Sequence, residues 1–96
     1  MSDTEREVIA AEAKRCFGSN ARVTLFGSRV DDNRRGGDID LLVQGPWQRG
    51  EAFTRKLRFL VGVKSRLGDQ RIDVLVAQPG DRRAIVAEAA RQGVPV

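Results

Sequence analysis

Residues 25–43 read LFGSRVDDNRRGGDIDLLV, and the rest of the sequence is arranged around this stretch. An apolar segment runs into Gly27 and Ser28, a polar loop follows, and a second apolar segment opens with Asp38 and Asp40. Because side chains on a strand alternate between its two faces, carboxylates two residues apart point to the same side. The stretch therefore predicts a turn that can hold a phosphate, next to two carboxylates that can hold a metal ion.

The composition narrows the chemistry that the protein can use. With 41% hydrophobic and 31% charged residues among 96, we expect one globular domain over residues 1–96. No apolar run approaches the roughly 18–20 residues of a membrane span, and no basic-then-apolar leader opens the chain. The absence of histidine excludes His-activated nucleophiles and His-ligated zinc. The single cysteine, Cys16, excludes an internal disulfide, so we expect a cytoplasmic protein that is not attached to a membrane.

The net charge of +4 and the pI of about 10.2 suit an anionic partner, such as nucleic acid, nucleotide phosphates or an acidic protein surface. The arginines are scattered rather than clustered in blocks, and aromatic residues make up only 5% of the chain. Few side chains could therefore stack on single-stranded bases. We do not expect nucleic acid to be the main partner.

Helix caps and helical spacing predict the first and last helices. Ser2 and Glu5 have the spacing of a capping box for a helix over residues 3–17. Asp81, which follows a Pro-Gly turn, is expected to cap a last helix over residues 82–92.

A long middle helix is predicted over residues 48–67. Its expected core stripe consists of Phe53, Leu57, Leu60, Val61 and Leu67. A second apolar face, about 100° away by the 3.6-residue period, consists of Ala52, Phe59 and Val63. This second face is either covered by the rest of the chain or exposed as a protein interface. Trp47 is open to the same two interpretations.

Three strands are predicted, over residues 22–26, 38–43 and 71–77. The last two flank the long helix, so a right-handed crossover should make them parallel. If the first strand is antiparallel to them, the Gly-Ser turn, the paired carboxylates and Asp73 meet at one end of the sheet. The sequence thus predicts an α/β (α+β) fold with a small mixed three-stranded sheet packed with three to four helices.

The three carboxylates Asp38, Asp40 and Asp73 would form an all-oxygen cluster at that end. Mg²⁺ prefers oxygen ligands, and two ions about 3.5–4 Å apart can bind the attacking and leaving oxygens of a displacement. Without histidine, a carboxylate is the natural general base, and Asp73 is placed to be one. Taken alone, Asp-x-Asp is more typical of an exposed polar face at the start of a strand, and the third carboxylate, Asp73, is what favours a functional site.

The motifs together resemble a known family. Gly-Ser, nine residues, Asp-Ile-Asp and a later RIDVLV strand are similar to the signature of minimal nucleotidyltransferase (MNT) domains of the polymerase-beta-like nucleotidyltransferase superfamily. The closing AEAARQGVPV also resembles that family, so the similarity extends over nearly the whole chain. The resemblance implies the nucleotidyltransferase fold and transfer of a nucleotide from an NTP to a hydroxyl.

The resemblance also implies roles for individual residues. The nucleotide-binding residues would be Gly27, Ser28 and Arg29. The metal ligands and catalytic residues would be Asp38, Asp40 and Asp73, with Asp73 assisting the acceptor. The implied cofactor is Mg²⁺, with two ions, and the implied nucleotide is ATP or another NTP.

The resemblance implies a partner as well. Small MNT proteins act as antitoxins beside a helical HEPN ribonuclease, and some transfer AMP to a tyrosine of that toxin. We therefore expect a HEPN-family partner protein that receives AMP. The alternative is a binding module with weak or no catalysis that neutralises or scaffolds its partner by contact. Asp31 and Asp32 favour the alternative, because they place negative charge where a triphosphate would lie.

Overall fold

The computed structural model describes residues 2–27, 39–68 and 71–96. Within these ranges the elements in chain order are α1 (Asp3–Phe17), β1 (Arg22–Phe26), β2 (Ile39–Gln44), α2 (Arg49–Leu67), β3 (Ile72–Ala77), α3 (Ala84–Gln92) and β4 (Val94–Pro95). The predicted α/β class and the predicted order of helices and strands are confirmed. No helix among the described residues is long and apolar enough to cross a membrane.

The sheet is mixed, with the strand order β3-β2-β1-β4. β2 and β3 are parallel and β1 is antiparallel to β2, as predicted. The sheet contains a fourth strand, β4, in addition to the three predicted ones. β4 pairs with β1 through Leu25 and Val94. Sequence patterns missed β4 because a two-residue strand that contains Pro95 has neither an alternation pattern nor a full set of ladder donors.

α1 forms as its caps predict. The Ser2 hydroxyl accepts a hydrogen bond from the Glu5 amide at 3.1 Å, and the Glu5 carboxylate accepts one from the Ser2 amide at 3.0 Å. At the other end of the helix, Phe17 packs against Trp47, with ring centroids 5.1 Å apart. Trp47 is buried, which makes it a core residue rather than an interface residue.

The predicted core stripe of α2 is wrong for three of its five members. Phe53, Leu57 and Val61 are 59%, 48% and 69% exposed, whereas Leu60 and Leu67 are partly buried against the core. The buried face is the second one, with Ala52, Phe59 and Val63.

The packing of α1 against α2 is consistent with this orientation. Gly62 is buried, and a Cβ at this position would lie 2.7 Å from Glu12 Oε2 and 2.8 Å from an Arg15 guanidinium nitrogen. The absence of a side chain at Gly62 leaves room for the Glu12 and Arg15 side chains between the two helices, which is compatible with the glycine face of α2 being turned inward. Apolar periodicity could not distinguish two stripes on the same helix.

α3 begins at Ala84, two residues later than predicted, and Asp81 is not its cap. The Asp81 carboxylate instead accepts hydrogen bonds from the amide and the guanidinium of Arg83. Asp81 therefore closes the turn before the helix.

The two faces of the sheet are covered by different helices. Ile39, Leu41 and Val43 of β2 belong to a core cluster with residues of α1 and α2. Leu42, from the opposite face of the same strand, packs with residues of α3. Because side chains alternate along a strand, Asp40 lies on the α3 side of the sheet with Leu42.

Candidate active site

Asp40 and Asp73 are neighbours across the two parallel strands. They are direct partners in the register of β2 and β3, which places their Cα atoms about 4.8 Å apart. Their strand neighbours Ile39, Leu41 and Ile72 are buried on the opposite face. The alternation of acidic and apolar residues in both strands therefore puts two carboxylates side by side on the α3 face.

Gly27, which directly follows the antiparallel strand β1, lies against the Asp40 carboxylate. Phe26 pairs with Asp40 at the end of β1, and the chain then turns through Gly27 with a φ of +78°. A Cβ at Gly27 would overlap Oδ2 of Asp40 and lie 3.2 Å from its Cγ. The left-handed backbone at this position favours glycine, and a larger residue would have to displace the Asp40 carboxylate.

This end of the sheet is accessible to solvent. Asp73 is exposed and Asp40 is partly buried. Two carboxylates held next to each other repel when both are ionised, and a cation bound between them relieves that repulsion. Their oxygens are the donor type that Mg²⁺ prefers, so the chemistry of this pair fits that ion.

Three of the six predicted site residues come together here: Gly27, Asp40 and Asp73. The other three, Ser28, Arg29 and Asp38, lie outside the described residues, and their roles stay predictions. Asp31 and Asp32 lie outside them too. Within the described ranges, no three His, Cys, Asp or Glu side chains are grouped closely enough to hold a metal ion. The predicted three-carboxylate cluster therefore depends on Asp38.

Comparison with known families identifies the kind of domain in which this pair occurs. Residues 7–93 match the family model described as "Nucleotidyltransferase domain". The chain belongs to the nucleotidyltransferase domain family. No curated protein matches the chain.

The nucleotidyltransferase match includes the whole candidate site. It begins within α1 and ends at Gly93, so Gly27, Asp40 and Asp73 all lie inside it. Membership in the family supports nucleotidyl transfer as the general activity of the domain.

A second feature of this nucleotidyltransferase domain lies at the other end of β3. A groove of about 700 Å³ separates the start of α2 from the C-terminal half of β3 and the turn before α3, and its lining includes Phe53, Lys56 and Arg83. Neither Asp40 nor Asp73 lines it. The groove is therefore separate from the candidate active site.

Arg83 and Asp81 line one edge of this groove and are hydrogen-bonded to each other. The guanidinium of Arg83 donates to the Val76 carbonyl at 2.9 Å, on the outer edge of β3, and to Asp81 at 2.8 Å. The hydrogen bond from Arg83 holds the pKa of the Asp81 carboxyl below its ordinary value. Sequence analysis missed this contact because the spacing of Asp81 is also typical of a helix cap.

Proposed function

We propose that this protein transfers a nucleotide, AMP from ATP, to a hydroxyl group of a partner protein in a Mg²⁺-dependent reaction. The observation that supports this most strongly is the direct pairing of Asp40 with Asp73 beside Gly27 in a nucleotidyltransferase domain. Family membership supports the transferase class, and the choice of ATP, the metal and the protein acceptor are parts of the proposal.

Asp38, Asp40 and Asp73 would hold the metal, with two Mg²⁺ ions as the expected number. When bound, Mg²⁺ supplies positive charge that offsets the charge of the triphosphate and of the transferring phosphoryl group. The oxygen-only donor chemistry of the described carboxylates favours this ion over zinc, which usually takes nitrogen or sulfur ligands.

Asp73 is proposed to accept the proton of the acceptor hydroxyl. Its side chain is exposed, so a group on another molecule can reach it. The acceptor oxygen forms a bond to the α-phosphorus of ATP while the bond from that phosphorus to the bridging oxygen breaks. Pyrophosphate leaves, and the proton of the hydroxyl passes to the carboxylate.

Gly27, Ser28 and Arg29 are proposed to hold the triphosphate. At Gly27 the backbone comes close to Asp40 without an intervening side chain, which brings the phosphates close to the metal ligands. Arg29 would contribute positive charge to the same turn, and Ser28 a hydroxyl donor.

The proposed partner is a helical HEPN-family protein, and the proposed biological role is that of the antitoxin in a toxin–antitoxin pair of the cytoplasm. An acceptor on a separate protein fits a site that opens at the end of the sheet, with Asp73 exposed there.

Transfer of radiolabel from α-labelled ATP tests the proposal. The purified protein is incubated with Mg²⁺ and the protein encoded by the adjacent reading frame, and the partner should become labelled. Parallel reactions contain the other three NTPs, or EDTA. Absence of label with every nucleotide and metal, while both proteins remain folded, would reject the proposed transfer.

A contact-only antitoxin is the second candidate, and the exposed residues Phe53, Leu57 and Val61 favour it because they offer a surface for binding a partner. Under this alternative, the double substitution Asp38→Ala with Asp40→Ala leaves neutralisation of the partner in cells unchanged. Loss of neutralisation by a double variant that still binds the partner would exclude it.

A further inference from the structure

The outer face of α2 carries a continuous apolar line. Phe53, Leu57 and Val61 are each four residues apart, so they lie on successive turns and extend over about 12 Å of the helix. All three are about half exposed or more. We refer to these three residues as the α2 stripe.

The α2 stripe continues into a concave surface at its N-terminal end. Phe53 also lines the groove of about 700 Å³ beside β3, together with Val74 and Val76. Single exposed apolar residues are normal on protein surfaces, whereas a line of three that joins a groove is typical of a surface that binds another molecule.

The charge of α2 is predominantly positive. α2 contains six basic residues and one acidic residue, a net charge of +5 against +4 for the whole chain. The acidic residue, Glu51, is bound to Arg55 at 2.6 Å.

The basic residues nearest the stripe are available to a partner. At about 100° per residue, Lys64 lies along the stripe, and Lys56 and Arg58 lie on its two sides. None of the three forms an ion pair with another described residue.

We propose that the α2 stripe binds an amphipathic helix with acidic flanks, contributed by a partner protein. A straight apolar line with one residue per turn matches the apolar face of another helix, which packs by ridges into grooves. The basic residues on both sides would pair with carboxylates that flank the apolar face of the partner. A second copy of this chain is disfavoured, because two such faces in contact would place Lys56, Arg58 and Lys64 against like charges.

The proposal goes beyond the proposed nucleotidyl transfer and does not depend on it. α2 covers the face of the sheet formed by Leu41 and Val43, whereas Asp40 and Asp73 lie on the α3 face. A helix bound to the stripe therefore occupies a surface separate from the carboxylates, and its binding is measured without turnover.

A designed peptide tests the proposal directly. The probe is a fluorescently labelled amphipathic helix of about 18 residues with leucines on one face and glutamates on both flanks, and a twin peptide has lysine in place of each glutamate. Fluorescence anisotropy is measured as the full-length protein is titrated in. We expect the glutamate peptide to bind at least about tenfold more tightly than the lysine peptide, with a difference that shrinks as salt is added.

Matched variants locate the binding. The double substitution Leu57→Ser with Val61→Ser should weaken binding of the glutamate peptide about tenfold or more, as expected for central apolar contacts. Ile85→Ser removes an exposed apolar residue of α3 and should change binding less than about twofold. Lys56→Glu with Lys64→Glu should remove the preference for the glutamate peptide, whereas Lys14→Glu on α1 should keep it. Circular dichroism verifies that each variant is folded.

Three results would overturn the proposal. The first is equal affinity for the two peptides, and the second is no binding of either by the folded protein. The third is a dimer in sedimentation that Leu57→Ser with Val61→Ser dissociates, which would make a second copy the occupant of the α2 stripe.

Discussion

Asp40 of β2 lies directly opposite Asp73 of β3 in the parallel part of the sheet. The two carboxylates share the α3 face, and the turn at Gly27 closes over Asp40 from the neighbouring strand. The arrangement places like charges together at the open end of a sheet. This suits a site whose ligand is a cation that carries an anionic substrate.

Mg²⁺ should stabilise the protein through this pair. At about ten times its dissociation constant, Mg²⁺ adds about 1.4 kcal/mol to the free energy of unfolding, which raises Tm by several degrees. We expect Asp73→Asn to lose at least about half of that increase, because one ligand oxygen becomes a neutral amide. Asp3→Asn, in the first turn of α1, makes the same chemical change away from the site. This control should show the same Mg²⁺-induced increase as wild type.

Differential scanning fluorimetry with MgCl₂, and with NaCl at equal ionic strength, measures the effect. A metal site at these carboxylates would be contradicted if Mg²⁺ raised Tm equally in wild type, Asp73→Asn and Asp3→Asn. It would also be contradicted if Mg²⁺ did not raise the Tm of wild type.

Gly27→Ala should impair nucleotidyl transfer through a steric overlap with Asp40. Gly27 and Gly80 have φ values of +78° and +82°, so alanine at either position costs about 1–2 kcal/mol of backbone strain. A Cβ at Gly80 meets no atom within 4 Å, whereas one at Gly27 overlaps Asp40 Oδ2. We therefore expect a loss of activity of about tenfold or more in Gly27→Ala, and little loss in Gly80→Ala.

Rates of nucleotide transfer, together with urea unfolding of both variants, distinguish strain from overlap. Similar stability with a large difference in activity is the expected outcome. If the two variants lose activity equally, the close approach of Gly27 to Asp40 has no part in the chemistry.

The buried face of α2 can be tested by truncation of its two phenylalanines. Phe59 is fully buried and contacts Phe17, with ring centroids 5.4 Å apart, whereas Phe53 is 59% exposed. We expect Phe59→Ala to lower the free energy of unfolding by about 3–5 kcal/mol, and Phe53→Ala to change it by about 0.5 kcal/mol or less. Urea denaturation followed by circular dichroism gives both values. The reverse order would mean that α2 is rotated relative to the structure.

Cys16 should react slowly while the protein is folded. Burial raises the pKa of the Cys16 thiol, although the nearby Arg15 guanidinium partly offsets the increase. Fewer thiolates are therefore present at pH 8 in the folded than in the unfolded protein. Because the folded-state pKa is the higher one, stability should fall as the pH rises above the ordinary thiol value of about 8.5.

Labelling with Ellman's reagent at pH 8, with and without urea, tests the state of this thiol. We expect the folded protein to react at least about tenfold more slowly. Equal rates in a protein that circular dichroism shows to be folded would mean that Cys16 is accessible.

Local signals were sufficient to predict much of the fold. The capping box at Ser2 and the stop at Gly18 set the bounds of α1, and the apolar pattern set those of β1. The helix between β2 and β3 favours their parallel pairing, since parallel neighbours need a crossover connection of that length. These features depend on a few neighbouring residues or on chain order.

The features that sequence could not predict depend on contacts between distant parts of the chain. The orientation of α2 buries Phe59 and Val63 and brings Gly62 against the Glu12 side chain, a contact between two helices. β4 exists because Val94 reaches the free edge of β1, where Leu25 is its partner. Neither relationship leaves a periodic pattern in the sequence.

Part of the candidate site could likewise be predicted from chain order, and part depends on contacts between distant residues. Chain order was enough to predict that Gly27, Asp40 and Asp73 share one end of the sheet. The register that makes Asp40 and Asp73 direct partners, and the approach of Gly27 to the Asp40 carboxylate, depend on backbone geometry.

The measurement that tests the central claim most directly is the rate of AMP incorporation into the partner protein by wild type, Asp40→Asn, Asp73→Asn and the control Asp3→Asn. We predict that each of the two site substitutions lowers the rate by about 100-fold or more, with Mg²⁺ required for the wild-type rate, and that the control matches wild type. Circular dichroism verifies that the variants are folded. Transfer by folded Asp40→Asn and Asp73→Asn within about twofold of wild type would contradict the assignment of nucleotidyl transfer to this pair of carboxylates.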